Sequence, residues 1–186
     1  VSNNPTYVIG AGIVGACVAI QLLNAGHPVV LIEKDAPGSG ASSGNAGSIG
    51  TASIPPYGMP GLYKKIPKVL FDPLFPLVLR RENIINSLNW FRKLISASQT
   101  ARVSKIADAR ALILAHAESA YTEMLNSLKL QHLIQKKGLI HTYQSNNSFL
   151  NSSYATSLRK DRGVHLMTLS GHELRDIEPM ISDDVL

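Results

Sequence analysis

The chain has 186 residues, of which 45% are hydrophobic and 17% charged, which is ordinary for a soluble globular protein of one or two small domains. Its net charge of +5 is compatible with an anionic ligand or a membrane surface, but it is no nucleic-acid signature, and we expect no nucleic-acid partner. The six histidines and one cysteine have no paired-ligand spacing, which argues against a structural metal site or a disulfide framework. A single cysteine fits a cytoplasmic location.

The apolar run Val8–Ile20 is not expected to be a targeting signal or a membrane span. A signal peptide has a basic region before its apolar run, and residues 1–7 contain no Lys or Arg. A membrane helix needs about 20 apolar residues, and Gln21 ends this run earlier. Glycines at fixed spacing within the run suggest a different role.

A strand, a glycine turn, a helix and a second strand follow one another at the start of the chain. Thr6–Ile9 is predicted to be a short buried strand, followed by the glycine turn Gly10–Gly15. Apolar residues recur at helical spacing over Gly12–Ala25, and Gly26 is expected to end that helix. The continuous apolar run Pro28–Ile32 is typical of a parallel strand that is covered on both faces.

The spacing of the three glycines and of one acidic residue predicts a dinucleotide site. Gly10 permits the turn out of the strand, Gly12 lets a pyrophosphate approach the helix amides, and Gly15 allows close packing of helix on strand. Glu33 ends the second strand, where its carboxylate can accept hydrogen bonds from a ribose diol and disfavours NADP. The other interpretation is a glycine-rich turn in an unrelated α/β protein.

The segment Pro37–Ser48 consists almost entirely of small residues. Flexible linkers have this composition too. A backbone that lies against a flat ring and a pyrophosphate also needs small residues, with hydroxyl and amide donors. We favour the second interpretation because a linker directly after a nucleotide-binding strand would be unusual.

These motifs together resemble the D-amino-acid dehydrogenase branch of the FAD-dependent D-amino-acid oxidase-like oxidoreductases. The resemblance rests on Gly10–Gly15, Glu33-Lys34 and Ser42–Gly47, and it continues to Glu173–Pro179. It implies that FAD is the cofactor and that one set of residues binds it: Gly10, Ala11, Gly12, Ile13, Val14, Gly15, Glu33, Lys34, Ser42, Ser43, Asn45, Ala46 and Gly47. No catalytic residue is assigned.

The resemblance also implies an activity and a domain organisation. Such enzymes oxidatively deaminate D-amino acids or related secondary amines by hydride transfer to flavin, and they pass electrons to an acceptor such as a quinone. The expected fold is α/β, with a Rossmann-like FAD/NAD(P)-binding βαβ unit in residues 1–50. Residues 51–186 would form the mainly helical first part of an α+β substrate domain, which leaves open a return segment at its end. Family members are considerably longer, so we expect an N-terminal fragment that is inactive without the C-terminal half.

Two other functions stay open. An NAD-dependent dehydrogenase domain should continue as a regular βαβαβ unit soon after Glu33, whereas here a small-residue loop and helices follow. A non-catalytic nucleotide-binding module would keep the fold without turnover.

The rest of the chain is predicted to be mainly helical. We expect a helix over Asn83–Ile95 with one apolar face, one long helix, straight or bent, over Thr100–Leu130, and a helix over Asn146–Lys160. Two strands are expected at Gly138–Tyr143 and Val164–Met167. Further expectations are a capping box at Ser170–Glu173, core positions for Trp90 and Phe91, and inward-facing Val103, Ile106, Ala107, Leu114 and Ala117.

Seven basic residues alternate with large apolar ones over Gly61–Lys93. This pattern suits peripheral contact with the inner face of the cell membrane. An ordinary covering segment of the substrate domain is the preferred interpretation, because Pro67, Pro73 and Pro76 would interrupt a long amphipathic helix.

Overall fold

The computed structural model describes residues 4–65 and 84–182. The described residues form two compact units, one from Val1–Ile49 and Glu118–Gln135 and the other from Gly50–Ala117 and Lys136–Leu186. The functional division into residues 1–50 and 51–186 stays a prediction.

The first unit is built on a small parallel sheet with a crossover helix, as the sequence predicts. Strand β1 (Thr6–Ile9) pairs in parallel with strand β2 (Val29–Ile32), and Ile9 lies opposite Ile32. Helix α1 (Ile13–Asn24) joins the two strands. Parallel neighbours need a crossover of this kind because the chain must return to the starting edge of the sheet.

Gly26 terminates helix α1, as predicted, two residues after the last helical residue Asn24. The φ of Gly26 is +80°, a conformation that is accessible to glycine without steric cost. Its N–H donates to the Leu23 carbonyl oxygen at 3.0 Å, and the His27 N–H donates to the Leu22 carbonyl oxygen at 3.0 Å. These two bonds form a Schellman motif, which satisfies carbonyls at the end of the helix.

The predicted burial of Thr6–Ile9 and the predicted cover on both faces of Pro28–Ile32 are wrong for the described residues. Ile9 is 85% exposed and Tyr7 63% exposed, and Ile32 in β2 is 46% exposed. The described residues contain two paired strands and one crossover helix, which are too few to cover both faces of the pair. An apolar surface therefore remains on this sheet.

The remaining described elements are helical. They are a 3₁₀ turn at Leu62–Lys65, helices α2 (Ile84–Ala97), α3 (Thr100–Leu114) and α4 (Ala117–Ser127), a 3₁₀ turn at Gln131–Leu133, and helices α5 (Asn146–Asn151), α6 (Ser153–Lys160) and α7 (Gly171–Ile177).

The prediction of one helix over Thr100–Leu130 is wrong, because two helices occupy this stretch. Helix α3 ends at Leu114 and α4 begins at Ala117, close to the point where the chain passes from the second unit to the first. Helix propensity is a weak preference that tertiary packing overrides. The second helix ends at Ser127, and Lys129 beyond it has a φ of +58°.

Two predicted strands and one predicted helix also need correction. Residues 138–143 and 164–167 form no strand in the described part of the chain, since no neighbouring segment there pairs with them. The helix predicted over Asn146–Lys160 is divided at Ser152, whose hydroxyl donates to the Phe149 carbonyl oxygen at 2.6 Å. Serine competes in this way with the helical backbone and often interrupts it.

The capping box at the start of α7 is confirmed. The Ser170 hydroxyl accepts from the Glu173 N–H at 3.3 Å, and the Glu173 carboxylate accepts from the Ser170 N–H at 2.8 Å. The bond from the Ser170 N–H, followed by one from the Ser170 hydroxyl to the same carboxylate at 2.8 Å, lowers the pKa of Glu173, because both stabilise the ionised form.

The second unit has a small apolar core. Ile54, Val103, Ala107 and Leu158 are at most 4% exposed, so the predicted inward positions of Val103 and Ala107 are confirmed. Ile106, Leu114 and Ala117 are half-buried. Helix α3 therefore packs through a narrow stripe of small and β-branched side chains.

The expected apolar face of α2 is largely exposed. Trp90, predicted to be core, is 52% exposed, and Leu88 is 58% exposed. Phe91 is half-buried and meets the Trp90 ring edge-on, with 5.0 Å between the ring centroids. The apolar spacing correctly predicted a helix here. However, no other element among the described residues covers its apolar face.

Most of the basic and apolar segment Gly61–Lys93 lies outside the described residues, namely residues 66–83, and its proposed membrane contact stays a prediction. Among the described helices, none combines the length and the apolar character that crossing a bilayer requires.

Candidate cofactor site

The glycine turn begins with a residue in a left-handed conformation. Gly10 follows β1 with a φ of +98°, where L-residues with side chains are strained. Its N–H donates to the Ile32 carbonyl oxygen at 2.8 Å, which extends the pairing of the two strands by one step. The turn is therefore fixed to the end of β2 before the helix starts.

Gly15 lies where the backbone of α1 comes close to the turn after β1. A Cβ atom at this position would lie 1.8 Å from the Gly10 carbonyl oxygen and 3.0 Å from its carbonyl carbon. No side chain fits there without moving backbone atoms. The absence of a side chain allows α1 to start directly above the turn.

Gly12 caps the first helix beneath a serine from a distant loop. Its backbone is extended, with φ of −72° and ψ of 178°, and a Cβ here would lie 3.1 Å from the Ser42 Oγ. That Oγ accepts a hydrogen bond from the Ile13 N–H at 2.8 Å. Ser42 thus does what an N-cap side chain normally does, but from 29 residues along the chain.

The start of α1 presents further backbone donors. The first intrahelical hydrogen bond runs from the Ala16 N–H to the Gly12 carbonyl oxygen at 2.9 Å. The amides of Val14 and Gly15 precede that bond, and the geometry of a helix gives them no intrahelical acceptor. Together with the helix dipole they favour an anion at this end.

Glu33 is attached to the glycine turn by its carboxylate. One carboxylate oxygen accepts from the Ala11 N–H at 2.7 Å, and the other accepts from the Lys34 N–H at 2.8 Å and, more weakly, from the Asp35 N–H at 3.4 Å. The bond from Ala11, followed by those from Lys34 and Asp35, lowers the pKa of Glu33. The side chain is therefore an anion at neutral pH, and it fixes the end of β2 to the turn after β1.

This attachment of Glu33 to Ala11 was not foreseen from the sequence. Only the register of the two strands could have indicated this contact. Ile9 and Ile32 are partners, so the residues that follow each strand must be neighbours. A carboxylate directly after β2 can then reach the amides of the turn after β1.

The small-residue loop folds back onto the glycine turn. The Gly38 N–H donates to the Ala11 carbonyl oxygen at 2.9 Å, which adds to the contact between Ser42 and Ile13. Within the loop, the Asn45 side-chain amide donates to the Ser42 carbonyl oxygen at 3.0 Å, and its oxygen accepts from the Gly47 N–H at 2.7 Å. These bonds define a loop with fixed turns, which does not fit the linker interpretation.

The predicted site residues are therefore brought together only in part. Those of the turn, with Glu33 and Ser42, form one hydrogen-bonded group, and Asn45 and Gly47 join it through the Ser42 backbone. Ser43 and Ala46 are exposed in the loop. Lys34 is also exposed, and its ammonium group lies 3.5 Å from the Asp35 carboxylate.

A cleft of about 380 Å³ lies along this group, between the end of β1 and the first two turns of α1. The glycines and Ser42 form its polar part. Its apolar part includes Ile9, Val14 and Val18, which are 85%, 74% and 45% exposed. Backbone donors and exposed apolar side chains thus lie side by side, which suits a ligand with a phosphate and a flat apolar group.

The sequence matches the family model described as FAD dependent oxidoreductase over residues 6–186. It is 38% identical to a D-amino-acid oxidase from Bradyrhizobium diazoefficiens over 175 residues, which cover 92% of this chain and 41% of that relative. The chain thus spans about two fifths of the length of the curated relative it matches. No solved structure gives a significant match.

Proposed function

Because the chain belongs to the FAD dependent oxidoreductase family, for which FAD is the expected cofactor, we propose that it is the N-terminal part of an enzyme that oxidises D-amino acids or related secondary amines. The substrate class is taken from the relative named D-amino-acid oxidase, which is 38% identical. The observation that carries the proposal is the group formed by the glycine turn, Glu33 and Ser42 at the start of α1.

The residues of this group fit the chemical parts of FAD. The pyrophosphate would be held at the start of α1, where Gly12 has no side chain and the Val14 and Gly15 amides precede the first helical hydrogen bond. The loop containing Ser42, Asn45 and Gly47 would lie along the cofactor with little steric bulk. When bound, FAD supplies the acceptor for the two electrons that leave the substrate.

Glu33 fits the adenosine ribose even though it already accepts three backbone hydrogen bonds. An ionised carboxylate has about four acceptor positions, so one remains for a ribose hydroxyl. The lowered pKa keeps this acceptor charged at neutral pH. The same charge would repel a 2′-phosphate, which disfavours NADP.

The loop after β2 favours FAD over NAD. In a regular dinucleotide-binding domain the chain is expected to continue soon after the acidic residue as a βαβαβ unit, with a second helix and a third strand. Here the described residues between Lys34 and Lys65 contain no strand, and the Gly38 amide is bound to the glycine turn instead. A non-catalytic binding module would share all of these features, so only a measurement of catalytic turnover distinguishes it from an enzyme.

The finer points of the proposal come from the resemblance of the sequence. They are the D-amino-acid dehydrogenase branch, hydride transfer to flavin, an electron acceptor such as a quinone, cytoplasmic location with peripheral membrane contact, and dependence on a C-terminal half. This chain's own residues would bind and orient the cofactor, and substrate orientation would come from residues outside the described ones.

The test is a calorimetric titration of the chain with FAD and, separately, with NAD. We expect the chain to bind FAD. In Gly12→Val we expect weaker binding, because the valine side chain would collide with the Ser42 hydroxyl and cover the helix amides. Gly40→Ala is the matched control, since a Cβ there meets no atom within 4 Å. Binding of NAD alone would contradict the proposal, and so would an equal loss of FAD affinity in Gly12→Val and Gly40→Ala.

A further inference from the structure

Three hydrogen bonds form a continuous chain from the start of α1 into the small-residue loop. The Ile13 N–H donates to the Ser42 Oγ at 2.8 Å. The Asn45 side-chain amide donates to the Ser42 carbonyl oxygen at 3.0 Å, and the Asn45 Oδ1 accepts from the Gly47 N–H at 2.7 Å. All of these residues belong to the first unit. Ser42 is thus held at its side chain by the helix and at its backbone by Asn45.

The two neighbours of Asn45 require a donor and an acceptor on the same short side chain. The Ser42 carbonyl oxygen can only accept, and the Gly47 N–H can only donate. A carboxamide offers both groups, and the opposite orientation would place oxygen against oxygen and N–H against N–H. An aspartate carboxylate only accepts, so it could keep the bond from Gly47 but not the bond to Ser42.

The backbone between Ser42 and Gly47 depends on hydrogen bonds because little packing supports it. Gly44 and Gly47 have φ values of +69° and +63°, and a Cβ at either position would meet no atom within 4 Å. Asn45 itself is exposed. Glycine loses more conformational freedom on folding than any other residue, so the two bonds of Asn45 offset a cost that falls on this short stretch.

Ser42 lies where a small displacement has a direct effect on the candidate cofactor site. Its Oγ is so close to Gly12 that a Cβ there would lie 3.1 Å away, and it belongs to the polar part of the cleft. A shift of the Ser42 backbone would withdraw the hydroxyl from the Ile13 N–H, which precedes the first intrahelical hydrogen bond and has no acceptor within α1. The bond from Asn45 opposes this shift.

We propose that Asn45 is a positioning residue of the candidate cofactor site, which holds the Ser42 hydroxyl on the Ile13 amide and does not itself contact the cofactor. The resemblance of the sequence places Asn45 among the residues that bind FAD, whereas the role proposed here is indirect. The competing explanation is a direct contact, since the second N–H of the carboxamide is not used by these bonds. The inference rests on the proposed function only where it concerns FAD.

The first measurement is amide hydrogen exchange of the chain without ligand, with Ile13 and Gly47 as reporters. In Asn45→Asp we expect Gly47 to keep its protection, while exchange at Ile13 rises about fivefold, because the bond to the Ser42 carbonyl oxygen is lost. In Asn45→Ala exchange should rise at both amides. Ser39→Ala is the matched control, since it removes an exposed hydroxyl of the same loop that lies outside these bonds. Unchanged exchange at Ile13 in both Asn45 variants would refute the positioning role.

An amide of the sheet separates positioning from a general loss of stability. The Gly10 N–H donates to the Ile32 carbonyl oxygen at 2.8 Å and does not contact the small-residue loop. We expect its exchange to stay the same in both Asn45 variants. An equal rise at Gly10 and Ile13 would mean that the variants only destabilise the first unit, and the proposal would then be wrong.

The second measurement is the dissociation constant for FAD in Ser42→Ala, Asn45→Ala and the double variant. We expect each single change to raise it about fivefold. If Asn45 acts through Ser42, the double variant binds no more weakly than Ser42→Ala, because the group that Asn45 positions is already absent. Independent effects that multiply to about 25-fold would indicate a direct contact and overturn the proposal. If the unchanged chain binds no FAD, the proposed function fails, and exchange at Ile13 alone decides the positioning role.

Discussion

The close approach of α1 to β1 at Gly15 makes Gly15→Ala the sharpest test of the first unit. The added methyl carbon would lie 1.8 Å from the Gly10 carbonyl oxygen. Helix and turn would have to separate by about 1.5 Å, since non-bonded carbon and oxygen atoms keep more than 3 Å apart. The atom in the way belongs to the backbone, so no side-chain rotation relieves the contact.

Two opposing effects set the magnitude. Alanine stabilises a helix by about 1 kcal/mol relative to glycine. Overpacking of this kind costs about 1–3 kcal/mol, and a clash with backbone lies at the upper end of that range. We therefore expect a net loss of about 2 kcal/mol in the free energy of unfolding. The separation also breaks the geometry of the turn, so FAD binding should weaken together with stability.

The assay is urea unfolding followed by far-ultraviolet circular dichroism, with Gly40→Ala as the matched control. Gly40 has open space around its would-be Cβ, so that variant should be neutral or stabilised by about 0.5 kcal/mol through the unfolded state. A Gly15→Ala variant as stable as Gly40→Ala would refute the close approach of the two backbones.

Two further predictions concern charge and backbone conformation. The pKa of Glu33 is lower in the folded chain, so its hydrogen bonds stabilise the fold at pH values above the unfolded pKa near 4.5, and that contribution disappears as the pH falls through the folded pKa. Glu33→Gln should flatten this part of a plot of melting temperature against pH, and an unaltered profile would show that the bond to Ala11 contributes nothing. Lys129 has a φ of +58°, so Lys129→Gly should raise the free energy of unfolding by about 1 kcal/mol and Lys129→Ala should not. Equal stability of the glycine and alanine variants would contradict the left-handed conformation.

The parts of the fold that the sequence predicts well are those with local causes. The turn Gly10–Gly15, the termination of α1 by Gly26 and the box at Ser170–Glu173 each depend on contacts within a few residues. Glycine conformations and cap hydrogen bonds are properties of short segments, so a pattern of residue types is enough to locate them.

The parts that were predicted wrongly depend on distant contacts. Nothing near Ala115 is a helix breaker, and the interruption between α3 and α4 coincides with the passage of the chain between units. Residues 138–143 alternate like a strand, but a strand needs a neighbour, and the described residues provide none. The exposed Trp90 similarly lacks a covering element that its hydrophobic pattern implied.

The candidate site shows the same distinction between local and distant causes. The glycines and Glu33 were predicted from their spacing and Ser42 from the family resemblance, whereas the connections between them were not predicted: Ser42 reaches Ile13 across 29 positions and Glu33 reaches Ala11 across 22. Because these bonds form among the chain's own groups, the turn is ordered before any ligand arrives, and binding does not need to provide the free energy of ordering it. In the proposed cofactor site, the binding free energy of an anion would then come mainly from the Val14 and Gly15 amides and from the helix dipole. The Ser42 hydroxyl accepts from the Ile13 N–H, so its own proton would be one more donor towards an anion in the proposed site.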